Sequence, residues 1–266
     1  MRISVVHSTV YRYDCAVFLE PHIFRLRPRE DATQRLQQFS IDIQPAPAGR
    51  SFLLDQDGSA ALETWFDAPT EQLAVQTVFQ VETLRENPFD FVLTAETYGD
   101  SLRAALGPYL DSGGCDEVRG LAPEAAHPLD FLSMLNSRLF REFQHVIRDD
   151  GPPNPPALTL REGSGSCRDL AVLFCAVCRG RGIAARFVSG YEQAAAFEHG
   201  HMHAWAEVYL PGGGWRGFDP SRGLAVSTGH VALAAAADPA LAAPVVGSYR
   251  GSARSKMDFA ISMQAG

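Results

Sequence analysis

The chain has 266 residues, 46% of them hydrophobic and 20% charged, enough to bury a sizeable core in one large or two modest domains. Its formal net charge of −8 argues against a nucleic-acid partner, for which a basic face is expected. No apolar run reaches the roughly eighteen residues of a membrane span, so no membrane partner is expected either.

The opening text, MRISVVHSTVYRY, alternates from its third residue and lacks the basic, apolar and small-residue layout of a signal peptide. The expected compartment is therefore the cytoplasm. Further alternating runs follow at Phe39–Ile43, Leu62–Phe66 and Leu73–Phe79, separated by Gly, Pro and Asp clusters. This spacing predicts an antiparallel β-sandwich or barrel over residues 1–95.

From about residue 96 the period changes. Tyr98–Leu106 and Pro128–Phe143 carry helical spacing, the second with Asp130, Leu132, Leu135, Leu139 and Phe140 along one stripe. Phe143–Ile147 reads as a short extended piece, Asp150–Pro156 as a stiff loop, and Leu158–Glu162 as a short helical lead into a glycine turn. That turn is GSGSC. Leu170, Leu173, Phe174 and Val177 then recur at helical spacing, which places Cys167 in the first turn of a helix ending near Gly182. A thiol there meets unpaired backbone N–H groups and the positive end of the helix dipole, so its thiolate is favoured. The same N–H groups can hold a developing oxyanion.

Ala185–Tyr191 alternates as a strand, and so does the run that begins at His203. A Pro-Gly-Gly-Gly turn joins the latter to a partner, Trp215–Phe218, which ends at Asp219. The hairpin puts His203 and Asp219 near one ladder end, and Cys, His and carboxylate are what a nucleophile, its base and the base's orienter require. Trp205, two residues after His203 on the same strand face, is expected to wall the cleft, and Trp215 to serve packing. His230–Pro244 is alanine-rich and ambiguous between helix and strand, and Met257–Met263 alternates as an edge strand would.

Cys167-Arg168-Asp169 after GSG, the segment RGRGIAARFVSGY, and HAWAEVYLPGGGW with GFDPSRG resemble the bacterial transglutaminase-like family of papain-like cysteine enzymes. The resemblance implies an α+β protein: an N-terminal β domain over 1–95 and a papain-like transglutaminase-core domain over 96–266. It matches Cys167 to the nucleophile, His203 to the base and Asp219 to the third member. It implies acyl transfer on amide bonds of a protein or peptide substrate through an acyl-thioester, resolved by water as in a peptidase or amidase, or by an amine as in a transglutaminase. The family often carries an aromatic where His145 stands, and the neighbouring Gln144 is a candidate oxyanion donor. Ala237 and Pro239 replace an arginine and a tyrosine of the family, so the substrate does not carry over.

Other groupings compete. His199, His201 and His203 form an H-x-H-x-H that a strand would place on one face for a metal, but a metal on His203 would occupy the base, so none is expected. Cys175-Ala-Val-Cys178 lies inside the apolar body of the helix and reads as packing. GSGSC lacks the Lys-Ser or Lys-Thr of a phosphate loop and no acidic calcium loop occurs, so no cofactor is implied. The alternative function is a non-catalytic protein- or peptide-binding module that keeps the fold.

Overall fold

The computed structural model describes residues 1–114, 116–193 and 200–266. Its first half is antiparallel: β1 (Arg2–Leu19), β2 (His22–Phe24), β3 (Gln34–Gln44), β4 (Gly49–Leu54), β5 (Ala60–Trp65) and β6 (Thr70–Thr83). The alternating text explains the long strands, because Ile3, Val5, His7 and Thr9 of β1 are buried while Val6 is exposed. In β6, Leu73, Val75, Thr77, Phe79 and Val81 answer them, with Ile3 opposite Val81 and Val5 opposite Phe79. β2 is three residues long and β4 exposes nearly its whole length, so neither carries the alternation by which strands are read.

The second half holds the helices α1 (Asp100–Ala105), α2 (Gly107–Leu110) and α3 (Pro128–Glu142). On α3 the buried face is Phe131, Leu132, Leu135, Asn136 and Leu139. The expected stripe is turned by about one position: Asp130 and Phe140 face outward, because the three leucines alone fix which side meets the core. β7 (Gln144–His145), α4 (Pro156–Glu162) and β8 (Ser164–Gly165) lead into α5 (Cys167–Gly180).

A second antiparallel sheet follows, built from β9 (Ala185–Glu192), β10 (His203–Leu210), β11 (Gly214–Asp219), β12 (Leu224–Ala225) and β13 (His230–Ala236), in the order β12-β11-β10-β9-β13. The alanine-rich segment is thus a strand up to Ala236. Leu170, Leu173, Phe174 and Val177 of α5 share one core with Val208, Leu210 and Phe218 of this sheet. Burying side chains of this size stabilises by about 1.5–3 kcal/mol each.

The last strands are β14 (Val245–Val246), β15 (Tyr249–Arg250) and β16 (Ser255–Ala265). A division at residue 95 assigns them to the second unit by sequence, but they complete the sheets of the first: β14 pairs with β2, and β15 and β16 pair with β1. β6 occupies only one edge of β1, and an unpaired edge of that length requires a partner. The two units share polar ties. The Gln34 amide mimics a strand, donating to the Ala232 carbonyl at 2.8 Å and accepting from the Ala232 N–H at 2.9 Å. His7 Nδ1 pairs with the Tyr191 hydroxyl at 2.7 Å. No helix among the described residues is long and apolar enough to cross a membrane.

Candidate active site

Two glycines shape the approach to α5. Gly163 ends α4 in the left-handed region at φ 60°, and a Cβ on Gly165 would meet the Asp169 Cβ at 2.8 Å. Ser166 caps the helix, donating from both N and Oγ to Asp169 Oδ2 at 2.8 Å. Asp169 Oδ1 accepts from Arg148 Nη2 at 2.8 Å and from the Asn154 N–H at 2.7 Å, so one buried carboxylate fixes both the cap and the loop before it. Arg168 adds donors to the carbonyls of Arg148 and Asp150. Cys167, held between these two anchors at the first helical position, is partly exposed to solvent.

The β10–β11 hairpin brings the second and third sequence-predicted residues together. His203 donates from Nε2 to Asp219 Oδ2 at 2.6 Å, which leaves Nδ1 for the Cys167 thiol, its other hydrogen-bond partner. Asp219 is fully buried. Its Oδ1 accepts from Ser221 N, Ser221 Oγ and Arg222 N, and Oδ2 also accepts from His230 Nε2 at 3.2 Å. Burial pushes the Asp219 carboxyl up, but the His203 charge and the bonds from both imidazoles outweigh it and hold the group ionised. For His203, burial lowers the pKa while the charge and hydrogen bond of Asp219 raise it, to about 10. Burial likewise pushes the Cys167 thiol up. Hydrogen bonds from His145 and His203, with the His203 charge, reverse this and bring it down to about 6. Both shifts favour the thiolate–imidazolium form of the pair.

His145, and not its neighbour Gln144, lines the cleft. β7 pairs in parallel with β8, His145 opposite Gly165, and turns His145 into the cleft beside Cys167. Gln144 is exposed and does not line the cleft, since successive strand residues face opposite ways. A two-residue strand offers no alternation from which to read that parity.

Trp205 also departs from the sequence expectation. It is 1% exposed and does not wall the cleft. Its indole packs behind His203, with ring centroids 6.4 Å apart, and edge-on to His230 at 5.2 Å. The room comes from Gly190 in the neighbouring strand, where a Cβ would lie 2.1 Å from the Val231 carbonyl oxygen and 2.8 Å from the indole. Trp215 packs as expected, between Tyr109, Tyr209 and the Arg186 guanidinium.

His199 and Cys115 lie outside the described residues. His201 precedes β10 and packs at a tilt against Phe259, ring centroids 5.1 Å apart, so it does not share a strand face with His203. His203, Asp219 and His230 do bring ligand atoms within 4.8 Å of one another. Both rings bond to the same carboxylate oxygen, so a hydrogen-bonded network accounts for the closeness. Cys175 and Cys178 are buried in α5, and burial pushes the Cys175 thiol up to about 11 and Cys178 well above the usual range.

Cys167, His145 and His203 open on one cleft of about 780 Å³. One side is the loop of residues 148–155, another the segment 238–246, and a third the middle of β1 with the start of β16.

A thiol at a helix N-terminus, packed on an antiparallel sheet that carries the imidazole and carboxylate, is the papain-like plan. Residues 118–220 match the family model of the transglutaminase-like superfamily, and residues 3–82 that of the bacterial transglutaminase-like N-terminal region. The chain belongs to this superfamily, in the form that carries the bacterial N-terminal region. It is similar to an uncharacterized protein of Mycobacterium leprae, 26% identical over 287 residues that span 98% of this chain and 97% of the relative. An uncharacterized protein of Mycobacterium tuberculosis is 26% identical over 296 residues, 98% of this chain and 91% of the relative. The fold matches that of a Cytophaga hutchinsonii protein described as a candidate cysteine protease, with TM-score 0.76 and 19% identity over 100% of this chain and 91% of that one.

Proposed function

We propose that the protein is a cysteine-dependent acyl transferase acting on amide bonds of peptides or proteins. The observation that carries this reading is the thiol of Cys167 at a helix N-terminus, hydrogen-bonded to an imidazole whose other nitrogen is 2.6 Å from a buried carboxylate. The Cys167 thiolate attacks the amide carbonyl carbon, and the oxyanion takes hydrogen bonds from the N–H groups at the start of α5 and from His145. Collapse breaks the C–N bond, the amine leaves with the proton of His203, and an acyl-thioester remains on Cys167. His203 then takes a proton from water or an acceptor amine, which attacks the thioester and frees the thiolate. Asp219 orients His203 and stabilises its charged form. The cytoplasm is the proposed compartment, since five cysteines in an odd set suit a reducing one.

Incubating the protein with a glutamine-containing protein and a labelled amine, and following ammonia, new peptide ends and amine incorporation together, tests the reading. New ends mean peptide hydrolysis, ammonia alone means deamidation, and ammonia with incorporation means transamidation. Each should vanish in Cys167→Ala. If none of the three accrued above that variant, over a panel of glutamine-bearing proteins, the proposal would fail.

A further inference from the structure

The inner face of the β1/β16 pair changes its role along its length. In β1 it is formed by Ile3, Val5, His7, Thr9 and Tyr11, and in β16 by the residues opposite them, with Ile261 across from His7, Phe259 from Thr9 and Met257 from Tyr11. At the Ile3 and Val5 end this face is buried in the same core as Tyr191 and Val231 of the second sheet. Between Thr9 and Tyr13, which is buried again in that core, the cover is incomplete. Tyr11, Met257 and Phe259 are only half-buried, and all three line the cleft that holds Cys167. Met257 and Phe259 pack into none of the core clusters among the described residues.

Two polar side chains of this wall, His7 and Thr9, are already engaged with each other and with Tyr191. His7 bonds through one ring nitrogen to Tyr191 and through the other to Thr9 Oγ1 at 3.0 Å. On the facing loop, Arg148 is committed to Asp169 and Arg168 to two carbonyls, while Asp149 and Asp150 bring negative charge to the rim. The wall therefore offers a bound molecule mainly apolar surface, from Met257, Phe259 and the Tyr11 ring, while charges of both signs stand elsewhere along the cleft.

We propose that this strip, Tyr11, Met257 and Phe259, is the acyl-donor subsite, and that it selects peptides with apolar side chains beside the amide that Cys167 attacks. This rests on the proposed acyl-transfer reading, because the occupant is identified by the strip's continuity with the thiol. It assigns substrate choice to the N-terminal β unit and the returning C-terminal strand, both remote in sequence from α5. Buried apolar area beside the reacting carbonyl supplies binding that a charged side chain, stripped of water against the same surface, does not.

Equilibrium binding to full-length Cys167→Ala tests the subsite without turnover. The probes are two blocked peptide amides, acetyl-Leu-Phe-Gln-NH2 and acetyl-Glu-Asp-Gln-NH2. The apolar peptide should bind at least about tenfold more tightly. Phe259→Asp, and separately the milder Met257→Gln, should each erase most of that preference in proteins whose melting curves stay cooperative. Phe52→Asp, on the exposed face of β4, should leave it intact. Equal affinity for the two peptides, or a preference that survives both cleft substitutions, would overturn the proposal. An absence of amide turnover in the native enzyme would instead count against acyl transfer, and the binding measurement would still read the strip.

Discussion

Helix α5 carries three cysteines, and its two regions treat them oppositely. At its N-terminus Cys167 has two imidazoles for neighbours and a thiol brought down to about 6; two to three turns later Cys175 sits among apolar side chains, pushed up to about 11. Side chain and helix are the same. What differs is whether burial prevails, as at Cys175 against the opposing charge of Arg179, or is outweighed by hydrogen-bond donors and an adjacent positive charge. Reactivity is thus a property of the helix end and of the strands that reach it.

The largest expected effect breaks the comparison at its active pole. Cys167→Ala should lower kcat by roughly ten-thousandfold or more with an unchanged melting temperature, since a partly exposed thiol contributes little packing. Cys175→Ser should do the reverse, keeping kcat while lowering the melting temperature, because a hydroxyl replaces a thiol in a closed apolar site. Next comes the third member. Asp219→Asn should cost about a hundredfold or more in kcat with little change in KM, and Asp219→Ala should add little to His203→Ala, because residues acting as a unit are not additive. If the two losses multiplied, Asp219 would be acting on substrate and not through His203.

A smaller effect sharpens the contrast. His145→Phe removes one hydrogen bond to the thiolate, worth about 1.5–3 kcal/mol, and so should raise the Cys167 pKa by about one to two units. The acid limb of the kcat/KM profile would move up with it, whereas a purely structural His145 would leave that limb in place. The His203–Asp219 pair also links stability to pH. His203 is raised, so its contribution is fully present below about pH 6.5 and is lost as pH rises toward about 10. Asp219 is depressed, so its share is present above about pH 4 and is lost as pH falls below that. Thermal melts of the native protein and Asp219→Asn should therefore converge at both extremes. Smallest of all, Trp205→Phe should cost on the order of 1–3 kcal/mol of stability through the space left behind His203, with kcat little changed.

The parts of the site legible in the sequence are those set by local chain geometry. A glycine turn before a helical repeat located Cys167, and a proline-glycine turn between two alternating runs joined His203 to Asp219. The parts that escaped depend on distant strands. Whether Trp205 faces the cleft is decided by Gly190, whose missing side chain lets the neighbouring strand close over the indole. His145 lies in a strand too short to show parity, and the second imidazole on Asp219 comes from an alanine-rich segment with no clear period. The return of β16 to β1 could be read as an edge strand, but its choice of partner follows from which edge β6 leaves open.

The central claim is that Cys167 is a nucleophile activated by His203. It is tested most directly by the pH dependence of alkylation with limiting iodoacetamide, followed cysteine by cysteine through peptide masses. Cys167 should be modified first, with a rate that rises through a limb near pH 6. In His203→Ala that limb should move to about pH 8 or above, as for an ordinary thiol, while Cys175 and Cys178 stay unmodified until the protein unfolds. A native limb already near pH 8.5, or labelling of Cys175 as fast as Cys167, would contradict the account.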